Sequence, residues 1–327
     1  LRCNDRCDAA GELERLAENQ EQFMNKIVVS GASGDLGRRI THELLGRIPP
    51  GNLTLTTRSP DALADQAALG VRIHQADYND PAALEAAYRG NDVLMLISSM
   101  AVTRRVPEHR NAIEAAVRAG IKHIVYTSTC GIHPANPTLS AGDHIRTEQI
   151  LRDCGLGYTV FRNACYAEVI PENIAPSAIA TGKWVQLEGV ARLAPVWKDD
   201  IARCSATVLT DTARHNGAIY EISGPEILSF QDMAALVSEV HGVPIDYVAI
   251  TVDELQASFD AAGVWSEYSE DMPTHPEFHR WTSDEMVSAQ QGFVQGFHHI
   301  LTGHVELITG TPPRTLRALL ETYRDRT

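Results

Sequence analysis

The stretch Lys26-Ile27-Val28-Val29-Ser30-Gly31-Ala32-Ser33-Gly34-Asp35-Leu36-Gly37-Arg38-Arg39-Ile40 decides how this chain is read. A short β-branched run leads into three glycines spaced Gly-x-x-Gly-x-x-Gly, and an amphipathic helix follows. Ile27, Val28 and Val29 suit a strand buried on both faces. The glycines let the chain turn sharply and bring its backbone against a pyrophosphate, while the helix they open aims its unpaired N–H groups and positive dipole end at the phosphates. Three glycines alone would fit a tight turn with no ligand; the strand–loop–helix context points to dinucleotide binding. Gly31, Ala32, Ser33, Gly34, Asp35, Leu36 and Gly37 are therefore the expected phosphate-side contacts.

Strand and helix patterns alternate from Lys26 onward. Further strands are expected at Leu53–Thr57, Val71–Gln75, Val93–Ile97, Ile124–Thr127 and Tyr158–Phe161. Between them lie helices at Pro81–Tyr88, capped by Asp80, at His109–Ala119, ended by Gly120, and from about Asp143 to Asp153. This alternation predicts an α/β fold of the Rossmann type, a doubly wound parallel sheet with helices on both faces. After Asn163 the rhythm loosens into short strands near Trp184–Leu187 and Ile219–Ile222, a serine-capped helix at Ser229–His241 and a helical region from Thr282 to Thr302. The expected division is a nucleotide-binding domain over 24–164, to which segments of 181–224 add, and a smaller, mostly helical substrate domain over 165–327. Residues 1–23 are polar and helix-prone and are expected to lie outside the fold as an extension or leader.

The bulk properties narrow the function. The chain has 327 residues, enough for one large or two modest domains, with 44% hydrophobic and 21% charged residues. A net charge of −14 argues against a general affinity for nucleic acid. No apolar run approaches the roughly 20 residues of a membrane span. The six cysteines, Cys3 and Cys7 among them, show no zinc-type spacing, so a reduced cytoplasmic setting is expected. His298, His299 and His304 lack a matching acidic or cysteine cluster, and no metal site is expected.

In a doubly wound sheet, ligands sit outside the carboxyl ends of the strands where strand order reverses. Arg58 ends the second strand, where NAD-binding proteins place an acid for the ribose hydroxyl; arginine suits a 2′-phosphate, which favours NADPH over NADH. A solvated surface arginine is the alternative. Asp77 either accepts a hydrogen bond from the adenine amino group or orients the turn into Asp80-Pro81. Ser98, Ser99 and Met100 follow the fourth strand and should pass beneath the ribose and nicotinamide. Thr127, Ser128 and Thr129 follow the fifth and are candidates to hold cofactor or a substrate oxygen.

Taken together, Gly31-Ala32-Ser33-Gly34-x-x-Gly37, Thr57-Arg58, His123-Ile124-Val125-Tyr126-Thr127-Ser128, Arg146-Thr147-Glu148-Gln149-Ile150-Leu151 and Tyr158-Thr159-Val160-Phe161-Arg162-Asn163-Ala164-Cys165-Tyr166 resemble the atypical short-chain dehydrogenases of the NmrA-like group. Asp199-Asp200-Ile201-Ala202 and Tyr220–Glu226 match its later landmarks. The resemblance leans to the NADPH-dependent quinone and triphenylmethane-dye reductases. It covers about Met24 to Gly263 and returns near Leu307–Pro313. Typical short-chain dehydrogenases use Tyr-x-x-x-Lys, whereas Ser140 and His144 stand at those positions here, so chemistry through a tyrosine acid is not implied.

The resemblance implies an oxidoreductase with NADP(H) that delivers hydride to a quinone, enone or cationic dye. His144 could protonate the product oxygen or hydrogen-bond the ribose, since imidazole titrates near neutral pH; a solvated histidine at a helix start is the plain alternative. Asn163 is expected to fix the nicotinamide-side loop. Cys165, Tyr166 and Trp197 are expected to line an apolar acceptor pocket, although aromatics are as often simple core. The Trp265–Trp281 segment, with Tyr268 and Phe278, reads as a substrate lid or as a dimer contact, so a homodimer stays open beside a small-molecule substrate. The competing expectation is a redox sensor that binds the dinucleotide without catalysis and acts through a protein partner, as some NmrA-like proteins do.

Overall fold

Strand β1 (Ile27–Ser30) is wholly buried and pairs in parallel on both sides, with β2 (Leu53–Thr57) and β4 (Val93–Leu96). The computed structural model describes residues 25–273 and 281–324; the expected leader over 1–23 with Cys3 and Cys7, Met24, and Phe278 lie outside them. β3 (Arg72–Gln75), β5 (His123–Thr129) and β6 (Gly157–Asn163) extend the sheet outward. The shorter strands of the second half are β7 (Lys183–Leu187), β8 (Arg192–Leu193), β9 (Ile219–Ile222), β10 (Leu228–Ser229) and β11 (Asp246–Ile250). Strand order in the main sheet is β3-β2-β1-β4-β5-β6-β9, parallel throughout, and the order reverses between β1 and β4.

Period-two alternation sends β1 side chains to opposite cores. Ile27 and Val29 pack with the helices Asp35–Leu45 and Lys198–Thr210 on one face. Val28, with Leu94, Leu96, Ile124 and Tyr126, packs with Pro81–Tyr88, Arg105–Ala119 and Leu139–Asp153 on the other. Asp80 caps its helix by accepting from the N–H groups of Ala82 and Ala83 at 3.1 and 3.0 Å, with Pro81 at the first position.

Several boundaries differ from expectation. The helix expected from His109 starts at Arg105, because Pro107 falls in its first turn, where a missing N–H costs nothing. The next begins at Leu139 rather than near Asp143. The helix expected over Thr282–Thr302 stops at Val294, two residues before Gly296, whose φ of +82° breaks the helical path. The two short strands of the second half also part company. β9 joins β6 as the seventh strand, and the helix Lys198–Thr210 packs beneath the same sheet, so residues 198–222 complete the nucleotide half. β7 instead pairs with β11 in a separate two-stranded parallel ribbon, over a distinct core that contains Trp184, Val237 and Leu320. No helix among the described residues is long and apolar enough to cross a membrane.

Candidate functional site

The glycine loop leaves β1 through Gly31, whose φ of +72° suits glycine, and Gly34 N–H returns to the Gly31 carbonyl at 3.1 Å. Gly34 then caps the helix Asp35–Leu45 without any side-chain bond. The first intrahelical donor is Arg38, to the Gly34 carbonyl at 2.9 Å, so the amides of Asp35, Leu36 and Gly37 precede the helical ladder and lack partners within it. Gly37 is required by space: a Cβ there would stand 2.5 Å from the Gly31 carbonyl oxygen and 2.7 Å from the Ala32 Cα. These are the features a pyrophosphate needs, a close backbone and an uncapped helix start. Ala32 and Leu36 are buried and anchor the loop from below.

Asp35 would place a carboxylate beside bound phosphates. Lys198 Nζ at 2.7 Å and Arg39 Nε at 2.8 Å engage it and hold its pKa below the usual value, although burial works against them. On the adenosine side, Ser33 Oγ accepts from the Thr57 hydroxyl at 2.8 Å. Arg58 is 72% exposed, with its Nε 3.8 Å from the Asp77 carboxylate. Asp77 also accepts from the Asn79 N–H at 2.8 Å, so it both orients the turn and faces Arg58. Arg38, passed over in the sequence, joins them: its guanidinium bridges the Ser33 and Ala62 carbonyls at 3.0 and 2.9 Å. Its position directly after the third glycine was the available clue.

At the other end, the β4 loop is held by hydrogen bonds from several elements. Ser98 N–H donates to the Thr127 hydroxyl at 2.8 Å, and Ser99 N–H to His109 Nε2 at 3.0 Å. The Ile97 carbonyl accepts from Tyr78 at 2.6 Å, and the Ser99 carbonyl from Arg105 Nε at 2.5 Å. Met100 is about half exposed. At the end of β6, Asn163 is buried, and neither its amide oxygen nor its nitrogen has a partner within hydrogen-bond distance among the described residues, although it stands close enough to Tyr166 to oppose the rise in that phenol's pKa. Such a group wants a ligand, because an unsatisfied buried amide is costly. Thr129, Cys165 and Tyr166 lie half-buried nearby in the sequence, and burial pushes the Cys165 thiol up to about 12.

His144 is buried, not solvated. Tyr126 Oη stands 2.6 Å from its Nδ1, and burial, then the charge of Arg105, hold its pKa well below the usual value. The proton positions follow from neighbours. His109 Nε2 accepts from Ser99, so its Nδ1 carries the hydrogen and donates to Thr147, whose hydroxyl in turn donates to the Asp143 carbonyl at 2.9 Å. Tyr126 is then free to donate to His144. Both imidazoles are neutral, and His109 is held down to about 3, by burial first and by Arg105 second.

Three further expected contacts have partners of their own. Ser128 donates at 2.8 Å to the buried Glu148, which also pairs with the half-buried Arg162. Trp197 belongs to the second-half core, donating to the Thr315 carbonyl at 3.0 Å with Arg314 stacked 4.0 Å from its ring centroid. Trp265 is 43% exposed, and its carbonyl accepts from Ser283 N–H at 2.9 Å. His298 and His304 are engaged with Cys130 and the backbone of Glu221, and among the described residues no cluster of three metal-ligating side chains occurs.

Residues 31–212 match a family of NAD(P)H-binding proteins. The chain belongs to the NAD(P)H-binding family. It is 34% identical to quinone oxidoreductase 2 of Escherichia coli over 73% of this chain and 82% of that one. It is 26% identical to an NAD(P)H azoreductase of Xenophilus azovorans over 73% and 82%. The crystal structure of the E. coli NADPH-dependent quinone oxidoreductase with NADPH superposes with a TM-score of 0.80 at 30% identity, covering 90% of this chain and 99% of that one. A triphenylmethane reductase of Citrobacter sp. superposes at 0.78 with 25% identity, over 92% and 99%. This NAD(P)H-binding protein is an oxidoreductase that uses NADP(H).

Proposed function

We propose that this oxidoreductase passes hydride to an electron-poor conjugated acceptor of the quinone or dye type. The observation that carries this reading is the buried neutral network at the nicotinamide end. His144 and His109 are held below the pH range where they could supply a proton, and burial pushes the Tyr126 phenol far above it. With Ser140 and His144 where the usual tyrosine and lysine would stand, none of His109, Tyr126 and His144 is tuned to protonate a simple ketone as hydride arrives. Quinones and cationic dyes do not need that help, since delocalisation spreads the arriving charge or cancels one already present.

Bound NADPH supplies the hydride. The chain contributes position: the glycine loop and helix start at Asp35 would take the pyrophosphate, Arg58 and Arg38 the 2′-phosphate, and Ser98, Ser99 and Asn163 the nicotinamide side. The second half, apart from residues 198–222, would roof the acceptor. The free thiols Cys130, Cys154, Cys165 and Cys204 and the net negative charge suit a cytoplasmic enzyme of small molecules, with no nucleic-acid partner. The test is NADPH consumption with a naphthoquinone, a cationic triphenylmethane dye and an unconjugated ketone. Turnover of the first two and not the ketone is expected. Tight NADPH binding with no turnover of any acceptor would instead make the protein a sensor.

A further inference from the structure

Arg105, in the first turn of the helix Arg105–Ala119, is a buried cation that the protein only partly satisfies. The residue is 6% exposed. Its Nε donates to the Ser99 carbonyl at 2.5 Å, and Nη2 lies 3.8 Å from Glu285 in the helix Ser283–Val294. Nη1 is buried with no hydrogen-bond partner among the described residues. A guanidinium stays protonated at any pH the protein meets, and a buried charged donor left unpaired is costly, so a site that keeps one has a use for it.

The surroundings say where that use lies. Ser99 follows β4, on the nicotinamide side of the strand-order switch, and the charge of Arg105 is felt at Tyr166 beyond β6 as well as at His109, His144 and Tyr126. Two carboxyls face it: Asp143 from the helix Leu139–Asp153 and Glu285 from above. Asp143 is tied to the Thr103 N–H at 2.7 Å. Burial raises the pKa of both acids, and that of Glu285 to about 7, so near neutral pH Glu285 cancels the guanidinium only in part. The result is a fixed cation, aimed by Ser99 and roofed by Glu285, beside the place where an acceptor would meet the cofactor.

Resting on the functional reading above, the geometry points to Arg105 as the residue that receives the acceptor's oxygen, its free Nη1 pairing with the oxyanion that forms as hydride arrives. With a quinone, hydride brings two electrons and one proton to the ring system, and one carbonyl oxygen becomes the phenolate of a hydroquinone monoanion. Arg105 holds that charge without giving up a proton. A proton from water then completes the hydroquinone, and the cofactor leaves oxidised, so quinone, NADPH and H⁺ become hydroquinone and NADP⁺. Entry of the acceptor requires the buried Nη1 to be uncovered, while Glu285 faces Nη2 at 3.8 Å. A cationic triphenylmethane dye makes no such demand, because it takes hydride at carbon and leaves as a neutral molecule.

That difference tests the assignment within one variant. Arg105→Met should lower kcat/KM for a naphthoquinone about 10- to 100-fold more than for a cationic dye, any loss of NADPH binding through the freed Ser99 loop being common to both. Arg105→Lys, which keeps the charge, should recover part of the quinone rate. As a measurement independent of turnover, the NADP⁺-loaded protein should hold 4-nitrophenol as its yellow phenolate at slightly acidic pH, and Arg105→Met should not. Equal loss on both acceptors, or an unchanged phenolate signal, overturns the assignment alone. A wild-type protein that reduces neither acceptor overturns the functional reading, and this inference with it.

Discussion

At the glycine loop the ligand-facing groups are backbone amides, held by glycines that follow one another within a few residues. At the other end, the side chains proposed to meet a ligand, Arg105, Asp143, His144, Asn163 and Glu285, are gathered from four stretches of chain. A backbone site tolerates almost any substitution that leaves its geometry intact and fails abruptly when a Cβ intrudes. A side-chain site depends on which residues meet and on how burial tunes their charge, and it changes by degrees. Evolution of a new acceptor would therefore work on the second end and leave the first alone.

The sharpest way to break this contrast is Gly37→Ala. The new Cβ would meet backbone, not a flexible side chain, at 2.5 Å. We expect NADPH binding to fall below detection and stability to drop by about 1–3 kcal/mol, read by fluorescence titration and urea denaturation. Near-normal NADPH affinity would show the loop to be more pliable than described.

The second end is probed through pH. His109 is held near 3 against 6.5 when unfolded, so between those values the unfolded chain binds the extra proton and stability falls as pH falls. Glu285 sits near 7 against 4.5, mainly through burial, so in its window the folded chain binds the extra proton and stability falls as pH rises. Glu285→Gln removes only the second effect. It should stabilise the protein at about pH 8 by at most about 3 kcal/mol, leave it little changed below about pH 4.5, and steepen the loss on acidification between them. Urea midpoints across that range decide it; a uniform offset at every pH would contradict the burial of Glu285.

Smaller effects should follow at the edges of the cleft. Arg58→Ala should reduce preference for NADPH over NADH about tenfold, with turnover at saturating NADPH unchanged, as for loss of one charge-assisted phosphate contact. Trp265→Ala removes a ring that is 43% exposed, and a stability change under about 0.5 kcal/mol is expected. If its acceptor KM moves while its stability does not, the segment after residue 264 works as a lid.

The same contrast explains what could be read in the sequence. The sheet, its parallel pairing and the glycine loop were visible because each depends on neighbours in the chain: Ile27–Val29 on their own branching, Asp80-Pro81 on one helical turn. Arg58 was visible because strand ends mark the ligand edge. Arg105 was not, since an arginine in a helical pattern reads as solvated surface until Glu285 and Ser99 are seen against it. His144 was singled out by position, but its burial and its bond to Tyr126 belong to tertiary packing. Trp197 was read with Cys165 and Tyr166, and it packs in the same core as Cys165 and directly after Val196, which bridges Tyr166; its cover by Arg314 belongs to tertiary packing.

β9 has a consequence for how the protein is made. The sheet is finished only by residues that follow the β7 segment, so a nascent chain that has emerged as far as Asn163 carries β6 as an unpaired parallel edge. Until Ile219–Ile222 are synthesised and docked, that edge is a template for pairing with other chains. Truncation at residue 164 should thus give an aggregation-prone fragment instead of a minimal cofactor-binding module.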